Sequence, residues 1–341
     1  MSGVALLGAG YMAGVHARAW VAASTAVAVV CSPSPRGREL AAGIGARWTP
    51  HLENALDDPG VTIVDVCTPT PTHPDLIEAG IRGGKHVLVE KPIALDDAGL
   101  VRARQAWRDR SPGQVLMVAH VLQFFGGYDR IIQAVDDGVI GVPSSFVATR
   151  FSEKPSWSRW ITDESASGGP LVDLLIHDFD IANRLLGTPV SVRAREVHGS
   201  YSVTVAYQGG STALVTGGSN LPAGTPFSSS VQVTGTQGIL SHHFSATSAD
   251  AAPPELDVDR LTASGHERLK SNGEDPFLRQ ARYFLRCVET GHEPVIGSVD
   301  SAIWALEVSL AAARSLASGQ EEILSDRNCR YDSEKSTKGF D

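Results

Sequence analysis

Apolar residues recur along this chain in two rhythms, and the change falls near Pro143. In the first third, short continuous apolar runs alternate with stretches of helical period. Segments 4–7, 26–30, 61–67, 87–89 and 115–120 read as strands covered on both faces, because their apolar residues are contiguous. Helices are expected over 14–23, 36–43, 53–56, 74–83, 95–108 and 128–137. Asp96 and Asp97 stand in the first turn of the fifth, where the helix dipole favours a negative charge. Strands and helices in strict alternation predict a doubly wound parallel sheet.

After Pro143 the period falls to two. Segments 145–151, 190–198, 202–207, 211–217, 229–234 and 238–244 alternate apolar with polar, as strands of a one-sided sheet do. Gly209-Gly210 and Gln237-Gly238 are placed to turn hairpins. A polar loop is expected over 246–254, helices over 276–289 and 301–318, and a fraying tail from Ser325. The expected division is a nucleotide domain over 1–120 and an α+β substrate and oligomerisation domain over 121–341. A sheet with one bare face tends to pair through it, so a homodimer or homotetramer is expected.

Composition narrows the class. At 341 residues, 42% hydrophobic and 20% charged, the chain is long enough for two globular domains. A net charge of -9 argues against nucleic acid or an anionic membrane surface as partner. No apolar run approaches the ~20 residues of a membrane span, and the N-terminus has no signal-peptide pattern. Cys31, Cys67, Cys287 and Cys329 form no CxxC, which fits a reduced cytoplasmic protein without structural zinc.

The first candidate chemistry follows the first strand. Gly8-Ala9-Gly10-Tyr11-Met12-Ala13 is a G-x-G-x-x-G/A turn between a strand and a helix, the arrangement that brings backbone N–H groups against a pyrophosphate. An acidic residue at the end of the second strand would bind the ribose hydroxyls of NAD. Here Cys31-Ser32-Pro33-Ser34-Pro35-Arg36 has no carboxylate. Ser32 and Ser34 can instead donate to a 2′-phosphate and Arg36 can pair with it, a modest lean to NADP within NAD(P), unless Arg36 merely opens the next helix. Thr68, Pro69 and His73 form a loop expected to lie over the cofactor. Val87-Leu88-Val89-Glu90-Lys91-Pro92 is a buried strand stopped by proline, with an X-Pro bond open to cis. Glu90 and Lys91 then sit at the carboxyl edge of the sheet, where ligands of open α/β folds bind.

The second candidate is the segment from Ser167 to Asp180, glycines and a proline before an amphipathic helix. Asp173 and His177, four apart, would share one helix face as an orienting carboxylate and a general base. The same spacing also suits a buried histidine with Asp173 as a cap; no third ligand stands nearby, so no metal is expected. His120, Gln123 and Phe124 follow a sheet strand and are expected to face substrate. Trp157 and Trp160 could stack on a sugar ring or simply pack, and Lys154 and Arg159 read as a solvated loop.

These motifs together resemble the Gfo/Idh/MocA oxidoreductases, over nearly the whole chain. The matching residues are Gly84 to Pro92 (GKHVLVEKP), Cys67-Thr68-Pro69 with His73, and Gly168 to Asp180 (GGPLVDLLIHDFD). Ala13 in the third glycine position, Pro170 and the missing carboxylate depart from the pattern. The resemblance implies an α/β protein: an N-terminal Rossmann domain and a C-terminal α/β domain with a large open-faced, mostly antiparallel sheet. It implies hydride transfer between a nicotinamide and a secondary alcohol or ketone of a sugar or cyclitol. Lys91, Asp173 and His177 match the catalytic set, and Asp180 matches as a support of the helix. An ammonium from one domain and an imidazole from the other would then serve one alcohol. A biosynthetic ketosugar reductase, a cofactor-sensing regulator without turnover, and a hydrolase using bound NAD are the alternatives.

Overall fold

The computed structural model describes residues 3–155, 159–246, 256–271 and 273–324. The chain forms two compact units. One comprises the chain through Phe125 with Asp163–Ser167 and Gly273–Ile303; the other comprises Gly126–Thr162, Gly168–Asn272 and the chain from Trp304. The expected boundary at 120 therefore lies a few residues later, and two later segments return to the first unit. The physical reason is the helix Pro276–Thr290, which buries Ala281, Phe284 and Cys287 in the first unit's core.

The first unit is built on β1 (Gly3–Leu7), β2 (Val27–Cys31), β3 (Arg47–Thr49), β4 (Val61–Val66), β5 (His86–Glu90) and β6 (Leu116–Ala119). All neighbouring strands run parallel, in the order β3-β2-β1-β4-β5-β6. The strand order reverses between β1 and β4, the place where such sheets open a ligand crevice at their carboxyl ends. The connecting helices are α1 (Tyr11–Ala22), α2 (Pro35–Ile44), α3 (Leu52–Leu56), α4 (His73–Arg82) and α5 (Asp97–Arg108). Asp96 caps α5 by accepting the Gly99 N–H at 2.8 Å. Helix α1 begins at Tyr11, three residues before the expected Gly14, so the glycine motif itself supplies its first turn. Its inner face buries Ala13, Ala17 and Trp20, and Trp20 meets Phe284 edge-on at 6.1 Å between centroids.

The second unit is a nine-stranded sheet: β7 (Pro143–Glu153), β8 (Pro189–Val197), β9 (Ser200–Tyr207), β10 (Thr212–Leu221), β11 (Ser228–Gly235), β12 (Gly238–Ser245), β13 (Val258–Thr262), β14 (Gly265–Leu269) and β15 (Glu322–Ile323). Its order is β14-β13-β12-β11-β7-β10-β9-β8-β15, antiparallel throughout except where β10 runs parallel to β7. One face buries Phe146, Ala148, Val203, Val205, Ala213, Val215, Val231 and Val233, while alternate residues Val147, Leu214 and Gln232 look outward. The Gly209-Gly210 turn is present, and the β11–β12 hairpin turns through Thr236 and Gln237, one residue ahead of the expected pair. Hairpin β13–β14 was not expected from the sequence. Its polar pairs, Arg260 opposite Glu267 and Asp259 opposite Arg268, mask the apolar period, as suits the edge of a sheet.

The segment carrying Asp173 and His177 is two helices, Gly169–Asp173 and Ile176–Leu186, rather than one. The Leu175 N–H reaches back to Pro170 O at 2.8 Å, a wider turn than an α-helix makes, and the helix restarts at Ile176. Gly168, at φ +77°, opens the first helix in a conformation that suits glycine.

Candidate active site

In the first unit, the carboxyl ends of β1, β2 and β4 meet at Gly8. Its N–H donates to Cys31 O at 2.9 Å, and the Cys67 N–H donates to Leu7 O at 2.8 Å. Gly8 has φ +114°, and a Cβ there would lie 2.5 Å from Cys67 O, so the turn requires glycine. At Gly10 a Cβ would meet nothing within 4 Å, which leaves open space above the helix start. Helix α1 has no side-chain cap and no acidic residue in its first turn. Its leading N–H groups therefore keep their donor capacity for an anion, and a dinucleotide pyrophosphate fits that donor set. Tyr11 is 76% exposed beside this opening, Met12 is half-buried, and the Ala13 methyl is wholly buried in the core. That burial explains why alanine serves in the third glycine position.

At the end of β2, Ser32 is buried and its Oγ accepts the Ser34 N–H at 3.2 Å. Ser34 in turn caps α2 through the Arg36 N–H. Arg36 is exposed in the first turn of α2, so its guanidinium faces water at the helix N-terminus. Thr68 is half-buried and Pro69 exposed, on the loop after β4. His73 is buried, with Nδ1 2.8 Å from Pro92 O and Nε2 2.9 Å from Thr68 O. Burial lowers its pKa despite the two carbonyls, and the ring lies between the loop after β4 and the loop after β5. Lys91 is half-buried directly after β5, and the Lys91–Pro92 bond is cis. His120, Gln123 and Phe124 are buried just after β6, with the Phe124 ring 5.6 Å from that of Tyr283.

Sequence reasoning missed a buried polar cluster beside Glu90. His16 on α1 places Nδ1 3.0 Å from both oxygens of Asp65 on β4, and Nε2 3.0 Å from Glu90 Oε1. The contact to Glu90 is close without hydrogen-bond alignment, a charge contact. Trp20 Nε1 donates to Asp65 Oδ2 at 2.6 Å and the Cys67 thiol to Asp65 Oδ1 at 3.6 Å. Burial alone would lower the His16 pKa, but the charge and hydrogen bond of Asp65, with Cys67, hold it well above the usual value. Burial pushes the Cys67 thiol up, keeping it protonated. The signal available in the sequence was an aspartate inside the apolar run of β4. His16, Asp65 and Cys67 lie close enough to hold a metal, within 4.8 Å of one another, but the Asp65 oxygens already accept from His16, Trp20 and Cys67. Hydrogen bonding thus satisfies this donor set.

In the second unit, Asp173 ends one short helix and His177 stands in the first turn of the next, both partly exposed. The following residue, Asp178, is fully buried and takes two N–H bonds from Arg150 on β7, which also donates to Tyr128 Oη at 3.1 Å. Burial would lower the Arg150 pKa, but Asp178 and Tyr128 outweigh it and keep the guanidinium charged. This anchor ties the start of the His177 helix to the sheet, and nothing in the sequence reading pointed to it. Asp180 is buried one turn after His177 and Trp160 is half-buried. Trp157 lies outside the described residues. Cys31, Cys67 and Cys287 are buried free thiols, and among the described residues no helix is long and apolar enough to cross a membrane.

Residues 2–120 match a family model described as an oxidoreductase family with an NAD-binding Rossmann fold, and residues 128–241 match the GFO/IDH/MocA C-terminal domain. The chain is 30% identical to an inositol 2-dehydrogenase of Rhizobium meliloti, with 92% of this chain and 96% of that protein covered. It is 27% identical to the scyllo-inositol 2-dehydrogenase (NAD(+)) of Bacillus subtilis, over 92% and 94%. Among solved structures, GenD2 from gentamicin A biosynthesis in complex with NAD superposes with a TM-score of 0.79 at 25% identity, covering 95% of this chain and 96% of that one.

Proposed function

The chain belongs to the Gfo/Idh/MocA oxidoreductase family, and we propose that it is an NAD(P)-dependent dehydrogenase of a cyclitol or sugar, acting on a secondary alcohol. The observation that carries this reading is the Gly8–Ala13 cradle, a glycine turn of required conformation with an uncapped helix start, in a chain that also retains Lys91, Asp173 and His177. A bound nicotinamide supplies the hydride acceptor. Removing hydride from a carbinol requires its hydroxyl proton to leave, and the developing alkoxide needs a cation. His177 takes that proton, Lys91 stabilises the oxyanion as an ammonium donor, and Asp173 orients the imidazole or binds a neighbouring hydroxyl. The similarity to two inositol dehydrogenases favours a cyclitol.

The finer assignments are part of the same proposal. Arg36 in the first turn of α2, with no carboxylate at the end of β2, favours a 2′-phosphate and hence NADP. The bare outer face of the nine-stranded sheet favours a homodimer or homotetramer. The experiment is a panel of myo-inositol, scyllo-inositol, D-chiro-inositol, levoglucosan and glucose with NAD and with NADP. Lys91→Ala and His177→Ala are each expected to retain dinucleotide binding and lose turnover by about 100-fold or more. Near-normal turnover in either variant overturns the assigned roles.

A further inference from the structure

We propose that His16 is a positioning residue for Lys91, acting through Glu90; this rests on the role assigned to Lys91 above. The argument is a chain of contacts, all within the first unit. Trp20 Nε1 at 2.6 Å and the Cys67 thiol fix Asp65. Asp65 holds His16 Nδ1 at 3.0 Å through both oxygens. His16 Nε2 faces Glu90 Oε1 at 3.0 Å, and the other Glu90 oxygen, Oε2, accepts the backbone N–H of Lys91 at 3.0 Å. The indole of Trp20, the imidazole, the Asp65 carboxylate and Glu90 are all buried.

Each ring nitrogen of His16 faces a carboxylate oxygen. A neutral ring would turn a lone pair toward one of them, so the arrangement suits the doubly protonated imidazole. That cation makes it affordable to keep the Glu90 carboxylate turned inward, because a buried carboxylate with no opposite charge is strongly disfavoured. Glu90 is the last residue of β5, at the sheet edge, and without His16 its side chain can turn toward water. The Lys91 N–H would then lose its acceptor, and the peptide that sets where the Lys91 side chain departs would no longer be held. Displacement of a catalytic ammonium costs rate while the dinucleotide cradle at Gly8–Ala13 is untouched.

The test uses the full chain and the polyol of the panel that the unaltered protein turns over fastest. His16→Gln, Glu90→Ala, their double variant and Lys91→Ala are compared for kcat, KM and dinucleotide Kd. His16→Gln and Glu90→Ala, the latter removing the acceptor of the Lys91 N–H, are each expected to lower kcat by up to about 100-fold with dinucleotide Kd unchanged. The double variant is expected to fall no further than the worse single one, because both act on the same link. An unchanged kcat in His16→Gln, losses that multiply in the double variant, or a loss confined to dinucleotide Kd overturns the proposal. If His16→Gln fails to fold, Glu90→Ala, which removes the acceptor of the Lys91 N–H, decides alone: unchanged kcat refutes the link to Lys91. Normal turnover in Lys91→Ala, or no turnover of any polyol by the unaltered protein, instead overturns the parent reading, so the two failures are told apart.

Discussion

Arg150 holds Asp178 through two N–H bonds, Nε to Oδ2 at 2.6 Å and Nη2 to Oδ1 at 2.9 Å, with both side chains almost fully buried. The pair pins the helix residue next to His177 to strand β7. Removing one partner leaves the other as an uncompensated buried charge. Asp178→Ala is therefore expected to destabilise the protein by about 3–5 kcal/mol, read from urea unfolding. Replacing both, Arg150→Met with Asp178→Leu, should recover most of that loss, and a double variant as unstable as Asp178→Ala would refute this account.

The His16 cluster predicts a pH dependence of stability. Its folded pKa is raised above the ordinary 6.5, so the folded state holds a proton that the unfolded chain releases first. The stabilisation is complete below pH 6.5 and is lost as pH rises toward the folded pKa. His73, His86 and His242, whose pKa values burial lowers, act in the opposite sense below pH 6.5 and add no slope above it. Unfolding midpoints should therefore fall as pH rises above 6.5 in the unaltered protein and stay flatter in His16→Gln.

Cofactor choice is read at Arg36. If its exposed guanidinium pairs with a 2′-phosphate, Arg36→Ala should raise the KM for NADP by about 10-fold or more, the worth of one charge-assisted hydrogen bond. The KM for NAD should stay where it was. Equal effects on the two cofactors would assign Arg36 to the start of α2 alone.

The outer face of the sheet predicts the assembly surface. Val147 on β7 and Leu214 on β10 are opposite one another in the parallel register, 37% and 40% exposed. Val147→Glu with Leu214→Glu places two charges in that patch and should yield a monomer by light scattering without lowering the unfolding midpoint. An unchanged mass would move the interface elsewhere.

The repeating pattern of β1, β2, β4, β5 and β6, the glycine turn and the two-residue period of the second sheet were legible in the sequence, because each arises from local periodicity or from backbone geometry that few residues tolerate; the three-residue β3 was too short to show a period. Lys91 before its proline was legible as a short motif, whereas the Asp173–His177 spacing pointed to one helix face and the chain instead forms two helices there. Other features depended on residues far apart in the chain. Asp65 gains its partners from α1, 45 and 49 residues away, and Asp178 gains Arg150 from 28 residues away. The return of Pro276–Thr290 to the first unit, the break at Leu174 and Leu175, and the parallel pairing of β7 with β10 are decided by what packs against each segment. A buried charge or a broken helix has its energy set by its neighbours in space, and only the fold says which these are.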